Sequence, residues 1–306
     1  MSSVSTSAFY DSAIFNMTRL RAQTNTLQQQ ISTGNKLTHS YSDPLGASQM
    51  RMMQAADTLS SADQTVSNAA KAQLTQTDDT LGEFASIVTT LQGLATQAAN
   101  STLNASQRAS VGVQIAGYYQ NLMALANTRD GAGNPLFGGQ GTGTAYTTDA
   151  SGNPVYGGTA SAATLSLGPG MTVTAGVTGP EFLDFTSGGA SKNLLSVVKN
   201  LADTLQNPAS NAAAVAAANS SLTDLSAGLD SISTSQTVVG ARLAWITASE
   251  NMQTNLATQR STTEAKVGGT DITAAAAMLS QQMTVLEASQ ASFIKLANLS
   301  LFSMLN

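Results

Sequence analysis

The chain has 306 residues, enough for one large domain or two to three ordinary ones. Hydrophobic residues make up 42% and charged residues only 10%, against roughly 25% charged in an average globular chain. A net charge of −5, 13 scattered Lys and Arg and no cysteine argue against nucleic acid or an anionic membrane as partner, and exclude disulfides, a Cys-ligated metal and a thiol nucleophile.

The opening stretch MSSVSTSAFYDSAIFNMTRLRAQ has no basic residue before Arg19 and no continuous apolar run, so it is not read as a cleavable secretory signal. No stretch approaches the roughly 18 apolar residues of a membrane span. The first clear element is a heptad seam: Tyr10, Ala13, Met17, Leu20, Thr24, Leu27 and Ile31 alternate in steps of three and four, which predicts helix-on-helix packing. STGNK stops it, with Gly34 as a left-handed cap, and YSDPLG starts the next helix, with Asp43 able to cap and Pro44 suited to a first turn. A long helix then runs to about Asn100, carrying Leu81, Phe84, Val88, Leu91, Ala95 and Ala98 on one face. A further helix carries Arg108, Val111, Ile115, Tyr118, Leu122 and Leu125.

Composition changes between residues 131 and 190. This segment holds 15 of the 25 glycines, only Asp149, Glu181 and Asp184 as charges, and short alternating runs such as ATLSLG and MTVTAGV, which predict a small β-rich unit. Joining the chain near Gly133 and Gly188 is expected to leave the helices intact. Helix resumes near Lys192, and Leu222, Leu225, Leu229, Ile232, Gln236, Val239, Leu243 and Ile246 restore the heptad. KVGGTD interrupts at Gly268 and Gly269. In the last helix Ile272, Leu279, Leu286 and Phe293 recur every seven residues, with Ala276, Met283, Gln290 and Ala297 four beyond each.

The expected fold class is therefore mainly α: a long antiparallel, heptad-patterned helical bundle made from both chain ends, with a small β-rich inserted central domain. The expected divisions are 1–42 with 270–306 as terminal coiled-coil helices, 43–130 with 191–269 as a helical bundle, and 131–190 as the Gly-rich β domain. Beyond Thr270 only Asp271, Glu287 and Lys295 are charged, so the last helix has almost no face built for water. One terminal partner helix covers one side; other molecules must cover the rest. Candidate assembly residues are Tyr10, Met17, Leu20, Leu27, Ile31, Leu279, Leu286, Phe293, Leu296, Leu299, Leu301, Phe302 and Leu305. Gly34, Pro44, Gly268 and Gly269 are candidate hinges, because glycine and proline both oppose helix continuation.

Chemical readings are thin. GGQGTG at Gly138 to Gly143 follows a helix rather than a strand, has no Walker lysine and no helix soon after it, so a flexible loop outweighs a phosphate cradle. His39, the sole histidine, lies in a turn with no partner ligand and is read as exposed or interfacial. Asp78 and Asp79, adjacent on a helix, point about 100° apart and cannot share a proton. Met50, Met52 and Met53 are read as adaptable packing residues. No constellation meets the needs of an active site, so no catalytic, cofactor or metal residue is assigned and the chain is not read as an enzyme.

Two stretches carry a resemblance. QQQISTGNKLTHSYSDPLGAS resembles the N-terminal pattern of the bacterial flagellin superfamily, and EASQASFIKLANLSLFSMLN resembles the matching C-terminal pattern. ANTRDGAGNPLFGGQ and VVGARLAWITASENMQ, with the LSLF ending, are similar to the branch that stands at the hook–filament junction. Here Pro135 precedes Leu136-Phe137 where an aromatic is commoner. The resemblance implies paired terminal helices innermost, the insert outermost, and a structural role in the flagellum outside the cell after export without a cleavable leader. It implies as partners other copies of the chain, a neighbouring hook-associated protein, flagellin, and a cytosolic export chaperone for the C-terminal helix. The bulk filament subunit, flagellin itself, is the alternative within the family. A needle-tip or translocator adaptor lies outside it.

Overall fold

The structure is a computed structural model that describes the backbone of residues 2–304 and the side chains of residue 8 and residues 10–296. In chain order its elements are α1 (Ser2–Thr33), α2 (Pro44–Ala99), α3 (Ala105–Ala126), β1 (Tyr146–Thr148), β2 (Pro154–Tyr156), β3 (Thr164–Gly168), β4 (Met171–Thr174), α4 (Gly179–Leu183), β5 (Asp184–Ser187), β6 (Ala190–Asn193), α5 (Leu194–Gln206), α6 (Asn211–Gly268) and α7 (Ile272–Met304). The fold is mainly helical, the terminal helices pack on each other, and the strands are confined to the middle of the chain. Two compact units emerge: residues 1–59 with 254–306, and residues 60–253.

The central unit is built on the rows that the sequence pattern predicts. Leu81, Phe84, Val88, Leu91, Ala95 and Ala98 of α2 are all fully buried, as are Ile115 and Leu122 of α3 and Ile232, Val239 and Ile246 of α6. Burying one such large side chain is worth roughly 1.5–3 kcal/mol. Pro208 stands in the break between α5 and α6, where its ring and missing N–H oppose a continuous helix.

Arg108, on the predicted apolar row of α3, is fully buried and, among the described residues, forms no ion pair with a carboxylate. Its guanidinium donates to the Ala98 carbonyl at 2.8 Å, to the Asn100 carbonyl at 2.8 Å and to the Asn211 side-chain oxygen. The first two lie at the C-terminal end of α2, where unpaired carbonyls concentrate negative potential, so helix-end dipoles replace a counter-ion. The same side chain thereby fastens the end of α2, the start of α3 and the start of α6.

The strand-bearing segment forms three separate antiparallel hairpins, β1–β2, β3–β4 and β5–β6. It contributes directly to the helical core. Phe137 and Phe182 are fully buried and meet Phe84 of α2 edge to face, with ring centroids 6.1 and 5.1 Å away, while their own rings lie 4.8 Å apart. Excision between Gly133 and Gly188 would therefore strip two aromatic side chains from the core. The helix α6 holds the β3–β4 hairpin by polar side chains on one face. Arg242 donates to the Gly176 carbonyl at 2.6 Å, Trp245 to the Thr172 carbonyl at 3.2 Å, Ser249 to the Met171 sulfur at 3.4 Å, and Gln253 to the Leu167 carbonyl. The VVGARLAWITASENMQ stretch is thus a docking rail for a hairpin. The β5–β6 hairpin is tied to α6 through Asp224, which accepts from Ser187 at 2.6 Å and pairs with Lys192 at 2.6 Å.

An internal repeat also emerges, which the sequence reading did not detect. DGAGNPLFGG at 130–139 and DASGNPVYGG at 149–158 fold alike. In the first, Asp130 accepts backbone bonds from Ala132 at 2.9 Å and Asn134 at 2.8 Å; in the second, Asp149 accepts from Ser151 and Asn153, both at 2.8 Å. Gly133 and Gly152 share the left-handed conformation, at φ 84° and 77°. Matching positions then touch each other: Tyr156 donates to the Phe137 carbonyl at 3.1 Å, and Asn127 makes a reciprocal pair of bonds with the backbone of Tyr146 at 2.8–2.9 Å. The copies have diverged by depth. Leu136 and Phe137 are buried, while Val155 is exposed and Tyr156, half-buried, carries a hydroxyl.

Candidate assembly interface

In the terminal unit, α1 and α7 run antiparallel. The predicted seam of α1 is the one that faces its partner: Tyr10, Ala13, Met17, Leu20, Leu27 and Ile31 are half-buried and Thr24 is buried. A threonine is tolerated there because its hydroxyl donates to the Leu20 carbonyl at 2.9 Å. On α7 the seam runs through Ala275, Leu279, Gln282, Leu286, Gln290 and Phe293. Leu279, Leu286 and Phe293 are where the sequence pattern expects them. Ile272, Ala276 and Met283 are not: all three face outward. Two heptad tracks fit the spacing equally, and the one chosen in the fold carries the smaller and more polar residues inside. Near the chain ends the rings of Tyr10 and Phe293 meet edge to face, 5.4 Å apart, and the Tyr10 hydroxyl lies 3.5 Å from the Leu296 carbonyl.

Both candidate hinge segments are real breaks. Gly34 closes α1 with φ 70°, a left-handed conformation that costs a residue with a Cβ about 1–2 kcal/mol. Its N–H donates to the Gln30 carbonyl at 2.9 Å. Asp43 caps α2 by accepting from the Gly46 N–H at 2.9 Å, and Pro44 opens the helix. At the other break a Cβ on Gly269 would run into the Ala265 carbonyl oxygen. Asp271 then caps α7 by accepting from the Ala274 N–H at 3.0 Å. The two breaks also bond to each other. Lys36 N–H donates to the Gly268 carbonyl at 2.7 Å and Thr270 N–H to the Gly34 carbonyl at 2.9 Å, making an antiparallel bridge at Asn35 and Gly269.

The pair leaves much apolar surface uncovered. Phe15 is 68% exposed and Ile294 60%, and Ile14, Met278, Val285 and Leu296 are exposed as well. A shallow groove of about 300 Å³ lies between the helices, lined by Ile14, Met17, Phe293 and Ile294 among others. On α2 in the same unit, Leu45, Met52 and Leu59 form a row at seven-residue spacing, each 63–70% exposed. Exposed apolar surface of this kind marks an interaction site when it is contiguous and rimmed by polar residues. The sequence reading missed Ile14, Phe15, Met278, Ile294 and the α2 row because it searched for seams. Their signal is apolar residues off the seam of an amphipathic helix. Leu296 is exposed. The side chains of Leu299, Leu301 and Phe302, and all of Leu305, lie outside the described residues.

The chemical candidates stay separate. His39 is exposed beside Thr38 and Tyr41 in the turn before α2. Asp78 and Asp79 lie inside α2. Gly138 to Gly143 is an irregular turn whose backbone is bonded to Thr159. Among the described residues no group of three or more His, Asp or Glu side chains could hold a metal ion, and no helix is long and apolar enough to cross a membrane.

Residues 4–142 match the family model of the bacterial flagellin N-terminal helical region. A stretch of 142 residues is 30% identical to flagellar hook-associated protein 3 of Salmonella typhimurium, covering 46% of this chain and 45% of that protein, so this match spans less than half of the relative. The protein of the same name from Escherichia coli is 25% identical over 314 aligned positions, 98% of each chain. The crystal structure of the flagellar junction protein FlgL from Legionella pneumophila superposes with a TM-score of 0.61 over 72% of this chain and all of that one, at 15% identity, a likeness of fold. The resemblance is to the flagellin superfamily and, within it, to flagellar hook-associated protein 3.

Proposed function

We propose that this flagellin-like chain, similar over nearly its whole length to flagellar hook-associated protein 3, is a structural component of the bacterial flagellum that joins the hook side to the flagellin filament. The observation that carries the proposal is the union of that end-to-end similarity with a terminal helix pair whose outer faces are apolar and uncovered. The ends, 1–42 and 270–306, form the inner layer and order fully only in the assembly; 43–130 with 191–269 form the bundle outside it; 131–190 lies outermost. Tyr10, Met17, Leu20, Leu27, Ile31, Leu279, Leu286 and Phe293 hold the pair together. Phe15, Ile294 and Leu296 meet other subunits. Gly34, Pro44, Gly268 and Gly269 supply the bend between layers.

The partners are other copies of the chain, a neighbouring hook-associated protein and flagellin, and a cytosolic chaperone shields the C-terminal helix before export to the cell exterior. No catalysis is involved. The match of residues 4–142 to the flagellin model keeps a second reading alive, that of the bulk filament subunit. A labelled copy, expressed in a motile strain lacking its own junction protein, separates them. One spot at each hook tip and restored motility support the junction role; label along whole filaments supports the flagellin role and overturns the first.

A further inference from the structure

We infer that the bridge between the two helix breaks is a register-setting clasp for the terminal helix pair, and that the pair zips outward from it toward the chain ends. The premise is that the seam alone specifies register weakly. Its contacts repeat every seven residues, so a slip of one heptad returns seam positions to seam positions. Several of those positions are small or polar and interchangeable: Ala13, Thr24, Ala275 and Gln282. Almost no ion pairing can correct a slip, because α1 carries only Asp11, Arg19 and Arg21 and α7 only Glu287 and Lys295.

The clasp has the specificity that the seam lacks. It joins one residue, Asn35, to one residue, Gly269, through backbone bonds from Lys36 to Gly268 at 2.7 Å and from Thr270 to Gly34 at 2.9 Å. Both sides are prepared for it. The Gln30 side chain donates to the Lys36 carbonyl at 3.0 Å, holding the strand that leaves α1. The Met50 thioether fills the space over Gly268, 3.2 Å from where a Cβ would stand. The register that the clasp dictates is the one seen at the far end. Tyr10 and Phe293, whose rings touch, lie 25 residues before Asn35 and 24 after Gly269. A single bridge therefore accounts for alignment over about seven helical turns. Forming the clasp also closes the long chain path between the two ends before any seam contact is made, so each further turn is added at small entropic cost.

The absence of cysteine makes the test direct. Two double-cysteine forms of the full chain are compared: Tyr10→Cys with Phe293→Cys for the observed register, and Tyr10→Cys with Leu286→Cys for a slip of one heptad. Each is treated with a short bis-maleimide in the purified protein. The first should cross-link and the second should not. The clasp is then broken by Lys36→Pro with Thr270→Pro, which removes both N–H donors, and more gently by Gly34→Ala. Amide protection in α3 and α5 serves as the folding control. The expected result is loss of the preference for the observed register in the clasp variants, with amide protection across α1 and α7 falling first near residues 10 and 293. Retention of that preference in either folded clasp variant overturns the inference, and so does a lack of preference in the unaltered clasp. Every readout is intramolecular, so a label found along whole filaments would refute the junction role and leave this result standing.

Discussion

Replacing Phe137 with alanine tests whether the strand-bearing segment is part of the helical core. Phe137 has no exposed surface and its ring lies 4.8 Å from that of Phe182 and 6.1 Å from that of Phe84. Phe→Ala in a packed core costs about 3–5 kcal/mol, because the lost transfer energy is joined by a cavity that neighbours fill only in part. The central unit runs from Ser60 to Gln253. For a unit of that size each kcal/mol shifts Tm by about 2–4 °C, so the expected fall is roughly 6–20 °C. The repeat supplies matched controls. Leu136→Ala, in the buried copy, should cost about 2–5 kcal/mol, whereas Val155→Ala, its exposed counterpart, should stay within about 0.5 kcal/mol. Thermal melts followed by far-ultraviolet circular dichroism report the helices, which none of these substitutions alters directly. If Phe137→Ala melts like Val155→Ala, the shared core is wrong and the segment folds apart from the helices.

Three further outcomes are expected. Arg108→Met should cost about 3–5 kcal/mol in denaturant unfolding, since it orphans the carbonyls at the end of α2 that the buried guanidinium now satisfies. The Asn153 backbone N–H, then its side-chain amide, hold the Asp149 carboxyl below the usual carboxylate range. With a depressed folded value, its contribution is present above the ordinary carboxylate pKa of about 4 and is lost as pH falls through the lower folded one. Amide exchange of Ser151 and Asn153 should accelerate over that acid window, and should be fast at all pH values in Asp149→Ala. Phe15→Ser with Ile294→Ser, both on the uncovered face, should leave the melt of the purified chain within about 0.5 kcal/mol while sharply reducing incorporation at the hook tip, scored by labelled protein.

Much of this fold was legible because heptad spacing reports directly on which side chains face inward. The rows on α1, α2, α3 and α6 and the breaks at Gly34 and Gly268-Gly269 follow from spacing and from the two residues that oppose helix. What escaped has specific causes. On α7 two tracks have the same period, and apolar content favoured the wrong one: Met283 looks more like a seam residue than Gln282, yet Gln282 is half-buried and Met283 exposed. The row on α3 included Arg108, but spacing could not say what would satisfy a buried guanidinium; the orphan carbonyls at the end of α2 do. The repeat was missed because a small, Gly-rich, divergent pair has no hydrophobic period. Its signal was the recurrence of Gly-Asn-Pro three residues after an aspartate, a turn chemistry rather than a pattern of burial. The clasp could not be read at all, since backbone bonds between residues so far apart in the chain leave no trace in side-chain identity.

The two units differ in how completely they satisfy themselves, and that difference carries the functional argument. Along α2 within the central unit, each apolar residue from Leu81 to Ala98 on the inner row is fully covered by the chain's own α3, α5, α6 and strand-bearing segment. Along α1 the inner row reaches only half burial, apart from Thr24. Ordering a residue costs about 1–2 kcal/mol in backbone entropy whether its side chain ends half or fully buried, so the terminal helices bear the same cost for a smaller return. More charge on their outer faces would make them comfortable in water and useless as subunit contacts. The sequence does the opposite, placing Phe15, Met278 and Ile294 where a self-sufficient helix pair would carry lysine and glutamate. In the proposed structural role, ends that gain from each added neighbour favour the assembled state over the free one.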